Sequence, residues 1–337
     1  MYYFCTYFDH HYLLRGLALY HSLKRYCPSF RLWVLCLDAE CQRILSQLNL
    51  PDVHLISLEE FEKGDEELLK ARQNRSLMEY YFTCTPSLLL FVLRNFPEVD
   101  HITYLDADLF FFSDLAPIYQ EIGNHSIAIV EHRFPPYLRD RERYGIYNVG
   151  WLSFKRDSHA FTCLYWWRER CIEWCYDRCE EGRYADQKYL DTWPDRFQNV
   201  VVLQHKGVNL APWNLANYQI QEYKNEIWVD DQPLIFFHFH GFKQITGWLY
   251  DPNFADYNLK PSKVIRQSIY APYIYTLFTK AQQVPFLSPK ASLQSNVRGQ
   301  TVKSRLPQRV RKLRRMFQIG KGFLTQRYIL VINGHVL

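Results

Sequence analysis

No stretch of this sequence approaches the roughly 20 consecutive apolar residues that a membrane-spanning helix needs; the longest apolar run, residues 88–93, is far too short. Glycine-rich phosphate loops are missing as well. Neither a Gly-x-x-x-x-Gly-Lys-Ser/Thr loop nor a Gly-x-Gly-x-x-Gly turn occurs, which removes the main support for ATPase and dinucleotide-binding readings. Acidic residues vanish after Asp256: residues 257–337 hold 15 Lys or Arg and no Asp or Glu. That leaves 25 basic against 35 acidic residues before them, so the formal charge of +5 conceals an acidic body with a basic tail. No leader is expected, because the chain enters at once on YYFCTYF, a strand-like run. Cys171, Cys175 and Cys179 recur every four residues, with Cys163 two turns earlier, but no Cys-x-x-Cys pair accompanies them. They read as small buried hydrophobes on one helix face rather than as a metal cluster, and as reduced thiols in a cytoplasmic protein.

The chain has ample material for a core. Its 337 residues are 48% hydrophobic and 17% aromatic, which excludes disorder over most of the length and allows one large core or a core with an appendage. Residues 2–8 read as a strand, 12–26 as a helix and 31–37 as a strand, which makes a βαβ unit; 41–48 and 53–58 repeat the pattern. An apolar segment, 76–96, interrupted at Pro86, leads into a strand beginning at His101. Further strands are expected at 126–132, 144–154, 200–204 and 234–239, with helices at 157–180 and 185–193. The fold class expected is α/β, with a mostly parallel central sheet flanked by helices. Residues 1–256 would form the main domain, 257–280 helices packed on it, and 281–337 a basic extension. Within that extension 281–307 reads as a linker, and RVRKLRRMF at 309–317 as a basic amphipathic segment.

The chemistry centres on HITYLDADLFFF, residues 101–112. A buried strand ends there in Asp106 and Asp108, and alternate residues of an extended chain point the same way. Two such carboxylates either raise one another's pKa or accept a divalent cation. His240, at the end of an apolar strand and beside Gly241, is the third ligand favoured from sequence, and carboxylates with one imidazole suit Mn²⁺ or Mg²⁺. Taken singly, each candidate has a plain structural reading: a solvated turn for the aspartates, an edge-strand histidine for His240, a helix cap for Asp186 of YADQKYLD, a satisfied core amide for Asn148 of YNVG. The segment NLAPWN, residues 209–214, fits none of these readings.

In order along the chain, these pieces resemble the GT-A (Rossmann-like) nucleotide-sugar glycosyltransferases, and most nearly the glycogenin-like family eight with its bacterial lipooligosaccharide galactosyltransferases. DHHY at 9–12 is similar to the family's Asp-x-Asn-Tyr, with His11 in the Asn position. YLDADLFFF matches its Asp-x-Asp, YNVG its Asn-x-Gly, ADQKYLD its Asp-Gln, and HFHGFK its His-x-x-Gly-x-x-Lys-Pro-Trp, although Lys243 is followed by Gln-Ile-Thr. In that last register His238 is an alternative to His240. The resemblance spans residues 1 to about 250. It implies a metal held by Asp106, Asp108 and a histidine, Tyr12 stacked on the base, and Thr6 and Asp9 against the nucleoside. Ala107, Gly241 and Lys243 would lie along the diphosphate, with Arg75 paired to phosphate or Asp106. Asn148, Asp186 and Gln187 would orient the sugar, and Glu131 and His132 meet the acceptor. It further implies a nucleotide diphosphate sugar, UDP by preference, as donor and a glycan or lipid-linked acceptor of the cell envelope, with configuration retained. The basic tail would touch an anionic membrane at the cytoplasmic face; nucleic acid is set aside as its partner. Two alternatives stand beside this expectation: a sugar-1-phosphate nucleotidyltransferase, and an inactive GT-A module that binds glycans or partners.

Overall fold

A computed structural model describes residues 1–180, 182–284 and 328–337; the basic amphipathic segment expected at 309–317 lies outside them, as does most of the linker. The strands are β1 (Tyr2–Phe8), β2 (Phe30–Cys36), β3 (Val53–Ser57), β4 (His101–Leu105), β5 (Leu109–Phe111), β6 (Ile127–Glu131), β7 (Tyr147–Lys155) and β8 (Val200–Leu203). After them come β9 (Ile220–Tyr223), β10 (Glu226–Val229), β11 (Gln232–Pro233), β12 (Phe236–His238), β13 (Lys243–Thr246), β14 (Leu249–Asp251), β15 (Ile329–Ile332) and β16 (His335–Val336). Seven of these make one sheet in the order β3-β2-β1-β4-β7-β6-β8. Every neighbouring pair is parallel except those made by β7, which runs against β4 and β6. The mostly parallel α/β architecture expected from the sequence is the one observed.

Both faces of the sheet are covered, and the alternation of β1 shows why. Phe4 and Phe8 enter one apolar cluster while Cys5, between them, enters the other. The first cluster is roofed by the helices Leu13–Tyr26, Ala39–Leu48 and Ala271–Gln283, the second by Leu77–Asn95 and Ser158–Glu173. Gly16 lets the first helix come close to β1: a β-carbon there would lie 2.3 Å from the Phe8 ring. Asp38, Ser76 and Asp157 accept bonds from the first-turn amides of their helices, and Ser76 with Glu79 closes a capping box.

Three expectations change in structural detail. Pro86 does not interrupt its segment; the helix runs unbroken from Leu77 to Asn95. The missing N–H costs one rung of the ladder, and Leu88, Leu89, Val92 and Leu93, all buried against the sheet, keep the element whole. The helix expected over 157–180 stops at Glu173, so Cys175 and Cys179 are not on its face; Cys175 is buried beyond its end and Cys179 is exposed. Residues 328–337, read from the sequence as part of the basic extension, are ordered into the fold: β15 pairs with β14, which pairs in turn with β13. The Ala271–Gln283 helix packs its Tyr273, Ile274 and Leu277 into the same cluster as Leu13 and Leu17.

Candidate active site

Parallel strands present their carboxyl ends at one sheet edge, and β1 and β4 therefore deliver Asp9 and Asp106 side by side. β7 runs the other way, so it is its amino end, Tyr147 and Asn148, that reaches this edge. The short β5 then leaves Asp106-Ala107-Asp108 and pairs antiparallel with β12, with Leu109 opposite His238. That register decides which histidine stands beside the carboxylates. Strand alternation would put His238 and His240 on one side if the strand ran on, but β12 ends at His238, and it is His238 that lies beside the carboxylates, with Nε2 3.1 Å from Asp108 Oδ1 and 3.6 Å from Asp106 Oδ2. His240 sits two residues past the last rung and is exposed. The geometry thus favours His238, the alternative register, over His240.

One ligand atom from each of Asp106, Asp108 and His238 lies within 4.8 Å of the other two. Two hard oxygens and one imidazole nitrogen converging at this spacing fit a divalent cation of the Mn²⁺ or Mg²⁺ class. The electrostatics agree with a site built for positive charge. Burial by itself would raise the Asp108 carboxyl, but the adjacent His238 imidazole, and more weakly Arg15, hold it well below the usual carboxylate range. Asp106 is raised, by burial first and by Asp108 after the opposing pull of His238. Gly150 makes room for the histidine: a β-carbon there would lie 2.9 Å from His238 Cε1 and Nδ1.

Facing the cluster is a hydrogen-bonded amide array. Asn148 Nδ2 donates toward Gln187 Oε1 at 3.3 Å, and Gln187 Nε2 donates to the Tyr144 carbonyl at 3.0 Å. Asn148 Nδ2 also approaches His132 Nε2 at 3.2 Å, while His132 Nδ1 lies 3.1 Å from the Ile146 carbonyl. The carbonyl can only accept, so Nδ1 carries the proton and Nε2 is the acceptor for Asn148. Burial pushes the His132 imidazole down to about 3, which keeps it neutral. Asp186 is buried and accepts from Thr85 Oγ1 at 2.8 Å. Burial raises its carboxyl to about 7, with the Thr85 bond opposing and the Asp106 charge adding to the rise. Tyr104 donates to Asp106 Oδ1 at 2.9 Å, and Tyr7, its aromatic neighbour, is 3.1 Å from Thr85 Oγ1. Hydroxyl-bearing side chains therefore span the ground between Asp106 and Asp186.

Several sequence candidates sit elsewhere or play other parts. Arg75 does not reach Asp106; its guanidinium donates to the carbonyls of Cys171, Ile172 and Cys175 at 2.9, 2.8 and 3.3 Å. It satisfies the open end of the Ser158–Glu173 helix, a role sequence spacing cannot reveal because the partners lie about a hundred residues away. Thr6 is fully buried within β1 with its hydroxyl unpaired among the described residues, so it offers no exposed atom to a nucleoside. His132 is buried behind Asn148 rather than open to an acceptor, while Glu131 stays half-buried at the rim. Asp9 accepts from the Tyr12 amide at 3.1 Å and fixes the turn that carries Tyr12. Ala107 is buried between the aspartates, Gly241 adopts φ +71°, and Lys243 opens β13 half-buried.

The unplaced NLAPWN segment belongs to the site's support. Trp213 packs edge-on against His132, His238 and His240, with ring centroids 5.2, 5.1 and 5.4 Å away. Asn214 donates to the carbonyls of His132 and Asn209, both at 2.9 Å, and fastens the loop beneath the histidines. A Trp-Asn pair after a proline was the only signal for this in the sequence, and it names no partner.

Comparison with known proteins agrees with this arrangement. The family model described as Glycosyl transferase family 8 matches residues 5–161. The chain is 33% identical over 279 residues to the uncharacterized protein YfnD of Bacillus subtilis (strain 168), covering 82% of this chain and 88% of YfnD. It is 33% identical over 251 residues to YfnF of the same organism, covering 72% of this chain and 82% of YfnF. Among solved structures, the galactosyltransferase LgtC in complex with donor and acceptor sugar analogs aligns with a TM-score of 0.50 at 17% identity, over 71% of this chain and 87% of that one, a likeness of fold. With the paired aspartates, the Asn-x-Gly strand and the Asp-Gln turn gathered at one sheet edge, the chain belongs to glycosyl transferase family 8 and is a glycosyltransferase of the GT-A fold.

Proposed function

We propose that the chain transfers a sugar from a nucleotide diphosphate sugar, UDP by preference, to a glycan or lipid-linked acceptor, with retention of configuration and dependence on a divalent metal. The observation that carries the reading is the convergence of Asp106, Asp108 and His238 within 4.8 Å at the carboxyl end of β4. Asp106, Asp108 and His238 would hold Mn²⁺ or Mg²⁺, which when bound supplies positive charge against the diphosphate leaving group. Lys243 and Gly241 line the same end and would add a cation and an unhindered backbone. Tyr12, anchored by Asp9, would stack on the base. Asn148 and Gln187, each fixed by a hydrogen bond to the other, would hold the sugar hydroxyls; Asp186, largely protonated below about pH 7, could donate as well as accept. Glu131 at the rim would meet the acceptor. Membership of family 8 sets the nucleotidyltransferase alternative aside.

A screen of UDP-, GDP- and CMP-sugars with Mn²⁺ or EDTA, reading thermal shift and turnover, tests this directly. Turnover that needs metal and is lost in Asp106→Asn/Asp108→Asn is expected. A double variant that behaves like the parent would make the cluster structural and favour a binding module. NMR of the product's anomeric proton reports retention, and inversion would overturn that part. The 15 uncompensated basic residues after Asp256 are proposed to place the enzyme against an anionic cytoplasmic membrane face near an envelope acceptor, at about 1 kcal/mol per basic residue close to the surface. Equal vesicle co-sedimentation with and without residues 285–327, which hold 11 of those 15, would remove the role from that segment.

A further inference from the structure

Arg15 is the one Lys or Arg among the described residues that is fully buried, with 4% of its surface exposed. Burying a guanidinium is costly unless its charge and donors are met, yet it forms no ion pair with a carboxylate within 4 Å among the described residues. Its Nη2 donates instead to the Phe242 carbonyl at 2.6 Å, joining positions 227 residues apart. Its planar group lies over the Tyr12 ring with Cζ 4.2 Å from the centroid, and its Nε is buried without a partner. Phe242 stands between Gly241, at φ +71°, and Lys243, the first residue of β13. One rigid side chain thus touches the turn that carries Tyr12 and the segment that carries Lys243.

An apolar side chain would fill this space without the cost of burying charge, and an ammonium would carry the charge without the plane. Only a guanidinium can lie flat on a ring and donate in its own plane to a carbonyl. We infer that Arg15 is a positioning residue that sets the spacing between the nucleoside end and the diphosphate end of the donor site, holding the Tyr12 ring in one orientation and the Gly241–Lys243 backbone at a fixed distance from it. The inference rests on the donor reading proposed above. It concerns binding geometry, so its signature is in the donor KM rather than in the rate of the bound complex.

The test uses the full chain with Arg15→Lys and Arg15→Gln, Mn²⁺, and the nucleotide sugar that the parent turns over. Loss of a charge-assisted bond corresponds to roughly a tenfold rise in donor KM, with kcat held within about twofold. The thermal shift given by the matching nucleoside diphosphate with Mn²⁺ shrinks in parallel, and Lys restores none of it. Should Lys prevent folding, Gln is read alone, since it buries no charge. A folded variant with parental KM and parental ligand-induced shift, whatever its own melting temperature, makes Arg15 merely structural and overturns the inference. So does a loss confined to kcat. A parent that neither binds nor turns over any nucleotide sugar overturns the donor reading itself, an outcome separate from the other two.

Discussion

Gly150 and His238 share one space: a β-carbon on the glycine would stand 2.9 Å from two atoms of the imidazole and 2.6 Å from Asn148 Oδ1. The strand β7 thereby sets where the His238 imidazole can lie. Gly150→Ala must displace the ring or the amide, since His238 is walled in by Trp213 on another side. The expected outcome is a folded protein with apparent Mn²⁺ affinity weakened roughly 10- to 100-fold, the range for disturbed support of a metal ligand. Metal titration of the thermal shift measures it.

The two histidines of HFHG should separate cleanly. His238→Ala removes the proposed ligand nitrogen 3.1 Å from Asp108 and is expected to lower Mn²⁺ affinity by at least about tenfold. His240→Ala removes an exposed ring past the last rung and should leave that affinity within about threefold, since only His238 stands on the rung opposite Leu109, beside the carboxylates. The reverse ranking in metal titration would restore His240 as the ligand.

Asp186 gives a signed pH effect. In the native protein burial raises its carboxyl to about 7 from an ordinary 3.8. The group's contribution is therefore fully present below pH 3.8 and is lost as the pH rises through 7, because the native state binds the proton more tightly than the unfolded chain does. In metal-free protein, Asp186→Asn should gain stability relative to the parent across that window, by at most roughly 4 kcal/mol at pH 8. Urea unfolding of both proteins at several pH values reads the group, because titrations of residues not coupled to Asp186 cancel in the difference. A flat difference would show that the carboxyl ionises normally.

His132 holds Asn148 through a fixed tautomer, so His132→Leu should leave Asn148 with an unanswered donor. A fall in kcat of about tenfold is expected with unchanged Mn²⁺ affinity. With its own pKa near 3, His132 stays neutral above pH 5. The parent's pH–rate profile in that range should therefore owe no limb to it, and removing His132 should not move the profile's midpoint.

Arg75 is expected to matter for stability alone. Arg75→Ala strips donors from three carbonyls at and beyond the end of the Ser158–Glu173 helix and should cost about 1–3 kcal/mol in urea unfolding. Mn²⁺ affinity and donor KM should remain parental. A selective loss of donor binding would return Arg75 to the phosphate role.

What was legible in the sequence follows the range of the forces involved. The βαβ units of the first half depend on local periodicity, and the paired aspartates on neighbours two apart, so both could be read directly. His238 against His240 could not be read. Two apart at the end of one apolar run, they look alike locally, and only the pairing of β12 with β5, more than a hundred residues earlier, chooses between them. Arg75, Thr6 and His132 were assigned contacts from their places at the ends of strands or ahead of a helix, but burial and distant carbonyls set what they touch. Trp213 and Arg15 left almost no local trace, because a ring under three histidines and a guanidinium bonded across 227 residues exist only after folding.

The strand β15, residues 329–332, lies between β14 and β16 on the ladder whose first strand opens with Lys243. A nascent chain leaves the ribosome amino end first and folds largely in that order. The sheet edge bearing Asp9, Asp106 and Asn148 can be laid down well before residues 329–332 are made, whereas the Lys243 hairpin lacks its neighbouring strand until they emerge. A ribosome stalled short of residue 329 would carry the site's main sheet together with a hairpin still open on the side that β15 covers.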